Sequence, residues 1–331
     1  MAGRRQKKSG RRSYAWRYRG RIVACVFVEV IIICALVIMI GWNKGVKEWF
    51  EQFEQPVLKE VDISGINSPN AILMQVRGGK ILGEINGEAQ IYPASMTKIM
   101  TVILGIENFD DLDEKITLTD EMFAGLYEQD ATQAGFQPGE EVRVIDLLYG
   151  AMLPSGAECC IALADTISGS EADFAELMNK KARKLGMENT HFCDSTGLHN
   201  PDHYSTVKDI AVLMKYCIKN DTFREIVETS RHSTGVTNIH PDGITYYSTM
   251  FKNLSDPTVT GGKILGGKTG YTSEAGHCLV SFAEIEGREY IFVSAGASGA
   301  DGNTIPHIQD AVTVYNRVGA AIEAKMNDNN K

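Results

Sequence analysis

The chain has 331 residues, 44% hydrophobic and 23% charged, with 33 Lys+Arg against 42 Asp+Glu and a formal net charge of −9. That usage is ordinary for a globular protein and excludes a disordered, collagen-like or coiled-coil chain. Residues 1–21 hold nine basic residues and no acidic one; taking those nine charges from −9 leaves −18 for residues 22–331, which argues against a nucleic-acid partner.

From 22 to 40 the chain reads IVACVFVEVIIICALVIMI, 19 residues with Glu29 as the single charge. As a helix this run is about 28 Å long, one hydrocarbon core. It exceeds the roughly 7–15 apolar residues of a cleaved signal peptide, and no small-x-small site follows. The reading is an uncleaved transmembrane signal anchor over 22–41, with cleavage as the alternative. The basic segment 1–21 would stay cytoplasmic and the chain beyond Trp42 would lie outside the cell membrane, crossing it once. Trp16, Tyr18 and Trp42 suit interfacial anchoring. Glu29 reads either as a pairing site for another membrane helix or as a tolerated, protonated carboxyl.

Residues 42–64 read as a stalk, 65–325 as one domain and 326–331 as a tail. The domain opens with strand-like runs at 71–76 and 80–85 joined by Arg77-Gly78-Gly79, a hairpin-type turn. Helical patterns follow at 95–107, 120–127, 144–153, 156–168, 171–185, 206–218 and 221–229. Strands return at 233–239, 244–249, 263–268, 278–284 and 290–295, and a last helix at 306–325 carries Ile308, Val312, Tyr315, Val318 and Ile322 on one stripe. Strands, then helices, then strands predict an α+β fold: a mainly antiparallel sheet in which the two ends of the domain pair, with a helical lobe inserted. A ligand would sit in the cleft between them. Two of the seven cysteines, Cys25 and Cys34, fall in the membrane run. The other five are odd in number and include adjacent Cys159-Cys160, so buried thiols are expected, not a disulfide framework.

Three stretches carry chemistry. In Tyr92-Pro93-Ala94-Ser95-Met96-Thr97-Lys98, Ser95 and Lys98 stand three apart, within side-chain reach on one helical face. A serine hydroxyl is a weak nucleophile until a base takes its proton, and a desolvated, neutral lysine can be that base. Alone, the pair is more often an exposed helix pair. Met152-Leu153-Pro154-Ser155-Gly156-Ala157-Glu158 lies between two helical patterns and alone would read as a turn and cap. Gly266-Gly267-Lys268-Thr269-Gly270-Tyr271, on a C-terminal strand, sets a cation and a hydroxyl at a cleft. Its glycines let a substrate backbone lie alongside as an added strand. Lys263 has no Thr-Gly after it and reads as an ordinary strand lysine.

Ser-x-x-Lys, a second serine motif and Lys-Thr-Gly, in this order, mark the penicillin-recognising serine enzymes. With FAELMNKKARKLGMENTHFCDSTGL (174–198), His203-Tyr204-Ser205-Thr206 and Gly270-Tyr271-Thr272-Ser273-Glu274-Ala275-Gly276, the chain resembles the serine D-alanyl-D-alanine carboxypeptidases, the low-molecular-mass penicillin-binding proteins, over roughly 65–300. The resemblance implies a β-lactamase/transpeptidase-like fold and a cell-wall hydrolase that needs no cofactor or metal. Its substrates would be peptidoglycan stem peptides ending in D-Ala-D-Ala, and its covalent inhibitors β-lactams. Ser95 would be the acylated nucleophile, Lys98 its base and Ser155 a proton relay. Lys268, Thr269, Gly270 and Tyr271 would bind the substrate, Lys268 and Thr269 holding its terminal carboxylate, and the backbone N–H groups of Ser95 and Tyr271 would hold the oxyanion. One departure stands out: the family usually has Asn where this chain has Ala157, which leaves either a variant with another group in that role or a weakened enzyme.

Three rivals remain. Zinc is disfavoured, because Asn200-Pro201 breaks any helix between His199 and His203 and no His-Glu-x-x-His occurs. His191, His199, His203 and His277 read as packing near turns, and Ser205 or Thr206 as a helix cap. A β-lactamase would need a glutamate on a loop between the second and third motifs, whereas Glu171 and Glu176 fall on a helical pattern. A non-catalytic wall-binding or β-lactam-sensing protein stays open because of Ala157.

Overall fold

The structure, a computed structural model, describes residues 58–254, 256–299 and 305–329. The basic segment, the expected membrane helix and most of the expected stalk lie outside these residues. Among the described residues no helix is long and apolar enough to cross a membrane.

The elements run β1 (Asn70–Gln75), β2 (Lys80–Ile85), α1 (Lys98–Asn108), β3 (Lys115–Thr117), β4 (Glu141–Arg143), α2 (Val144–Met152), α3 (Ala157–Ser168), α4 (Glu171–Leu185), α5 (Val207–Cys217) and α6 (Asp221–Glu228). They continue with β5 (Arg231–Ser233), β6 (Thr245–Tyr247), α7 (Thr249–Asn253), β7 (Thr258–Val259), β8 (Gly262–Thr272), β9 (Gly276–Ile285), β10 (Arg288–Ala297) and α8 (Pro306–Asn329). Six strands form one antiparallel sheet in the order β2-β1-β10-β9-β8-β7. The two ends of the domain pair as expected, Asn70 opposite Ala295 and Gln75 opposite Tyr290.

Both faces of this sheet are covered, and the period-two alternation of strand side chains divides them cleanly. Ile72, Met74, Val280, Phe282, Ile291 and Val293 pack into the large core shared with α1 to α6. Their neighbours Ala71, Leu73, Leu279, Ala283, Tyr290 and Phe292 pack into a second core beneath α8. That second core also takes Leu58, Val61 and Ile63, so the last residues expected in the stalk belong to the domain, held there by their apolar side chains. At the other end, α8 runs on to Asn329 through residues assigned to the tail. Its stripe is rotated slightly from the expected one, with Val314 fully buried and Val312 only half-buried.

Three further expectations fail for local reasons. The helix expected at 120–127 is only a 3-10 turn, Asp120–Phe123, because Gly125 turns left-handed at φ 75°. The strand expected at 233–239 shrinks to Arg231–Ser233; Val236 beyond it is exposed and has no face to bury against. Thr245–Tyr247 replaces 244–249, since Ser248 caps α7 by accepting from the Phe251 N–H. Thr206 caps α5, its hydroxyl accepting from the Asp209 N–H at 3.0 Å, as the sequence suggested. Cys159, Cys160, Cys217 and Cys278 are buried free thiols and Cys193 is half-buried; Cys25 and Cys34 lie outside the described residues.

Candidate active site

Ser95 sits in a 3-10 turn, Ala94–Thr97, that leads directly into α1. Residues i and i+3 eclipse in such a turn, which is why the spacing of Ser95 and Lys98 brings their side chains together. The Lys98 Nζ donates to the Ser95 Oγ at 2.9 Å and to the Thr196 carbonyl at 2.7 Å. Entry to the turn is strained, with Ala94 at φ 47°, a conformation uncommon outside glycine. The turn is clamped there by Gly197, where an added Cβ would lie 1.9 Å from the Ala94 carbonyl oxygen.

Lys98 is 3% exposed and opens a helix, where the dipole disfavours positive charge. Burial lowers its pKa, against the opposing pull of Cys160, Asp194, Glu158 and Cys159. Lys268, on β8 and 1% exposed, is brought well below the usual lysine range by burial and then by the nearby Lys98 ammonium. Two close, buried amines thus favour having at least one of them neutral. That is the condition for Lys98 to take the Ser95 proton.

Ser155 lies between α2 and α3 with φ 73°, a second strained position. Gly156 caps α3 without a side chain, and Ala157, fully buried, donates its N–H to the Thr132 carbonyl at 2.8 Å. Thr269 Oγ1 is 2.7 Å from Thr249 Oγ1, while the Lys268 Nζ donates to the Thr269 carbonyl at 3.0 Å. At Gly270 an added Cβ would meet the Ser95 N at 3.0 Å and the Pro93 O at 3.2 Å, so the strand backbone and the serine turn touch. On its other side β8 pairs with β7 only at Gly262 and Lys263. Beyond Lys263 no strand pairs with β8 on that side, among the described residues, and Thr269, Gly270 and Tyr271 line the cleft, where an extended chain can be added.

A cleft of about 360 Å³ is lined by Ser95, Ser155, Thr269, Gly270 and Tyr271 together with residues from four other segments. The expected site residues therefore gather in one place, with Lys98 and Lys268 buried just behind its surface. Sequence reasoning did not assign Asp130, Thr132, Thr249, Asn253, His277 or His307 to the cleft. His277 stands opposite Tyr271 across β8 and β9, and stacks on His307 with ring centroids 5.0 Å apart. His277 had been read as mere packing, and His307 lies on α8, far from any motif.

A family model for D-alanyl-D-alanine carboxypeptidase matches residues 57–299. The chain is 35% identical to the D-alanyl-D-alanine carboxypeptidase DacF of Bacillus subtilis over 231 residues, covering 69% of this chain and 57% of that protein. It is 35% identical over 236 residues to a Streptomyces D-alanyl-D-alanine carboxypeptidase, covering 69% of this chain and 78% of the relative. It spans little more than half the length of DacF and of Escherichia coli DacC (57% and 58%). The crystal structure of a Streptomyces DD-transpeptidase superposes with a TM-score of 0.69 at 28% identity, covering 79% of this chain and all of that one. A carboxypeptidase from Mycobacterium tuberculosis shares the fold, TM-score 0.69, at 22% identity. By the extent of these matches, the chain belongs to the D-alanyl-D-alanine carboxypeptidase family of serine peptidases.

Proposed function

We propose that this chain is a membrane-anchored serine D,D-carboxypeptidase that removes the terminal D-Ala from peptidoglycan stem peptides outside the cell. The observation that carries the reading is the 2.9 Å contact between the Lys98 amine and the Ser95 hydroxyl, with burial favouring the neutral amine. Ser95 Oγ attacks the carbonyl carbon of the D-Ala–D-Ala amide as its proton passes to Lys98 Nζ. The oxyanion forms against the backbone N–H groups of Ser95 and Tyr271, whose strand meets the serine turn at Gly270. The C–N bond breaks, and the departing D-Ala amine takes a proton by way of Ser155. Water then hydrolyses the ester, its proton returning through Lys98. Thr269 and the charge of Lys268 would hold the substrate's carboxylate, and the edge of β8 at the cleft its backbone. A β-lactam, a mimic of the dipeptide, would acylate the same serine.

The run at 22–40 would hold the chain at the membrane, with the domain on the outer side. The purified chain should release D-Ala from a peptide ending in D-Ala-D-Ala, and Ser95→Ala should release none. β-lactam labelling without D-Ala release would favour a sensor, and fast nitrocefin turnover a β-lactamase.

A further inference from the structure

Behind the cleft the loop Cys193–Gly197 meets the serine turn through a closed ring of hydrogen bonds. Lys98 Nζ donates to the Thr196 carbonyl at 2.7 Å. Asp194 Oδ1 accepts from Thr196 N at 2.8 Å, Thr196 Oγ1 at 2.7 Å and Gly197 N at 2.7 Å. Its other oxygen lies 3.0 Å from His203 Nδ1, and His203 Nε2 lies 2.9 Å from Thr97 Oγ1. Thr97 precedes Lys98, so the ring closes on itself. Outside it, Thr101 Oγ1 donates to the Ser195 carbonyl at 2.6 Å and Glu171 Oε1 accepts from Ser195 N at 3.2 Å.

Carboxylate, imidazole and hydroxyl in series imitate a nucleophile triad, but Thr97 is fully buried and His203 is 2% exposed. The cavity beside His203 and Gly197 holds only about 10 Å³. No substrate reaches that hydroxyl, so its role is mechanical. We propose that Asp194, His203 and Thr97 are positioning residues: Asp194 fixes the Thr196 carbonyl that aims Lys98 at Ser95, and His203 ties the same carboxylate to the turn. The inference rests on the reading of Ser95 and Lys98 given above.

Asp194 also acts by charge. Cys159, Cys160 and Glu158 face Lys98 from α3, Asp194 from the loop and Lys268 from β8, while Glu171 of α4 is engaged with Ser195. Burial raises the Asp194 pKa, but bonds from His203 and Thr196 outweigh it and bring it to about 2, so the group is an anion at neutral pH. Its neutralisation should ease proton loss from Lys98.

The test is the Lys98 titration in full-length chain labelled with 13C-lysine, followed by NMR beside the pH profile of penicillin acylation. In Asp194→Asn the Lys98 midpoint and the acid limb of acylation should both move down by about half a pH unit or more. The rate at the optimum should fall about tenfold, as expected for a misaimed base. Thr97→Val should slow acylation by a similar factor and Thr97→Ser should restore it. An unmoved Lys98 midpoint overturns the proposal. If Asp194→Asn does not fold, equal rates for Thr97→Val and Thr97→Ser overturn it. Wild-type protein that penicillin never acylates would refute the enzymatic reading instead, while the NMR titration still decides this one.

Discussion

Lys98 Nζ donates to Ser95 Oγ at 2.9 Å from the first position of α1, while the serine belongs to the tighter turn before it. The turn spacing brings the two side chains together, while burial desolvates the amine and the Thr196 carbonyl helps to aim it. Lys98→Ala should therefore fold normally and lose about 10²–10⁴-fold in acylation rate, the usual worth of a general base. Stopped-flow labelling with fluorescent penicillin reads this, and a loss under fivefold would assign the base elsewhere.

Ala157 is fully buried, and Lys98 already has the Thr196 carbonyl as an acceptor. Adding a polar side chain to this closed position should destabilise by about 1–3 kcal/mol. A157N should then melt earlier and gain no rate in D-Ala release. A marked gain would show instead that the altered second motif limits the enzyme.

Gly270 has an ordinary strand conformation, so its constraint is space: a Cβ would press on Ser95 N at 3.0 Å and Ala94 Cβ at 3.1 Å. Gly270→Ala should push β8 away from the serine turn. Acylation should slow about tenfold or more with little change in Tm, because catalytic geometry is more sensitive to such shifts than packing. A lowered Tm with an unchanged rate would contradict this.

His307 Nδ1 is buried without a hydrogen-bond partner among the described residues, and burial, then His277, bring its pKa from 6.5 to about 4. A base with a lowered folded pKa binds its proton more readily in the unfolded chain. Its share of stability is therefore present above pH 6.5 and is lost as pH falls toward 4, by roughly 3 kcal/mol at most. His307→Phe should lose less stability than wild type when denaturant midpoints are compared between pH 7 and pH 4.5. Parallel losses would show that His307 does not titrate in this window.

Legibility in the sequence followed the range of the interactions. Ser95-x-x-Lys98 and Lys268-Thr269-Gly270 could be read because each is local: one a turn spacing, the other a strand bordered by glycines. The pairing of β1 with β10 followed from element order, since an interrupted sheet closes only when its ends meet. What stayed hidden depends on distant loops. Thr196 contributes only a backbone carbonyl, which no side-chain pattern announces. In the sequence Asp194 carries no role of its own and His203 reads as packing near a turn, since their hydrogen bond spans nine residues around that turn. His307 reaches the cleft from a helix whose apolar stripe faces the opposite layer. The three-residue strands β3 and β4 are too short for alternation to register.

The most direct measurement is peptide mapping by mass spectrometry after the full-length chain is treated with a penicillin. One adduct per chain, carried on the peptide containing Ser95 and absent from Ser95→Ala, is the expected result. An adduct on another residue, or none while D-Ala is still released, would contradict a mechanism built on the Ser95 hydroxyl and the Lys98 amine.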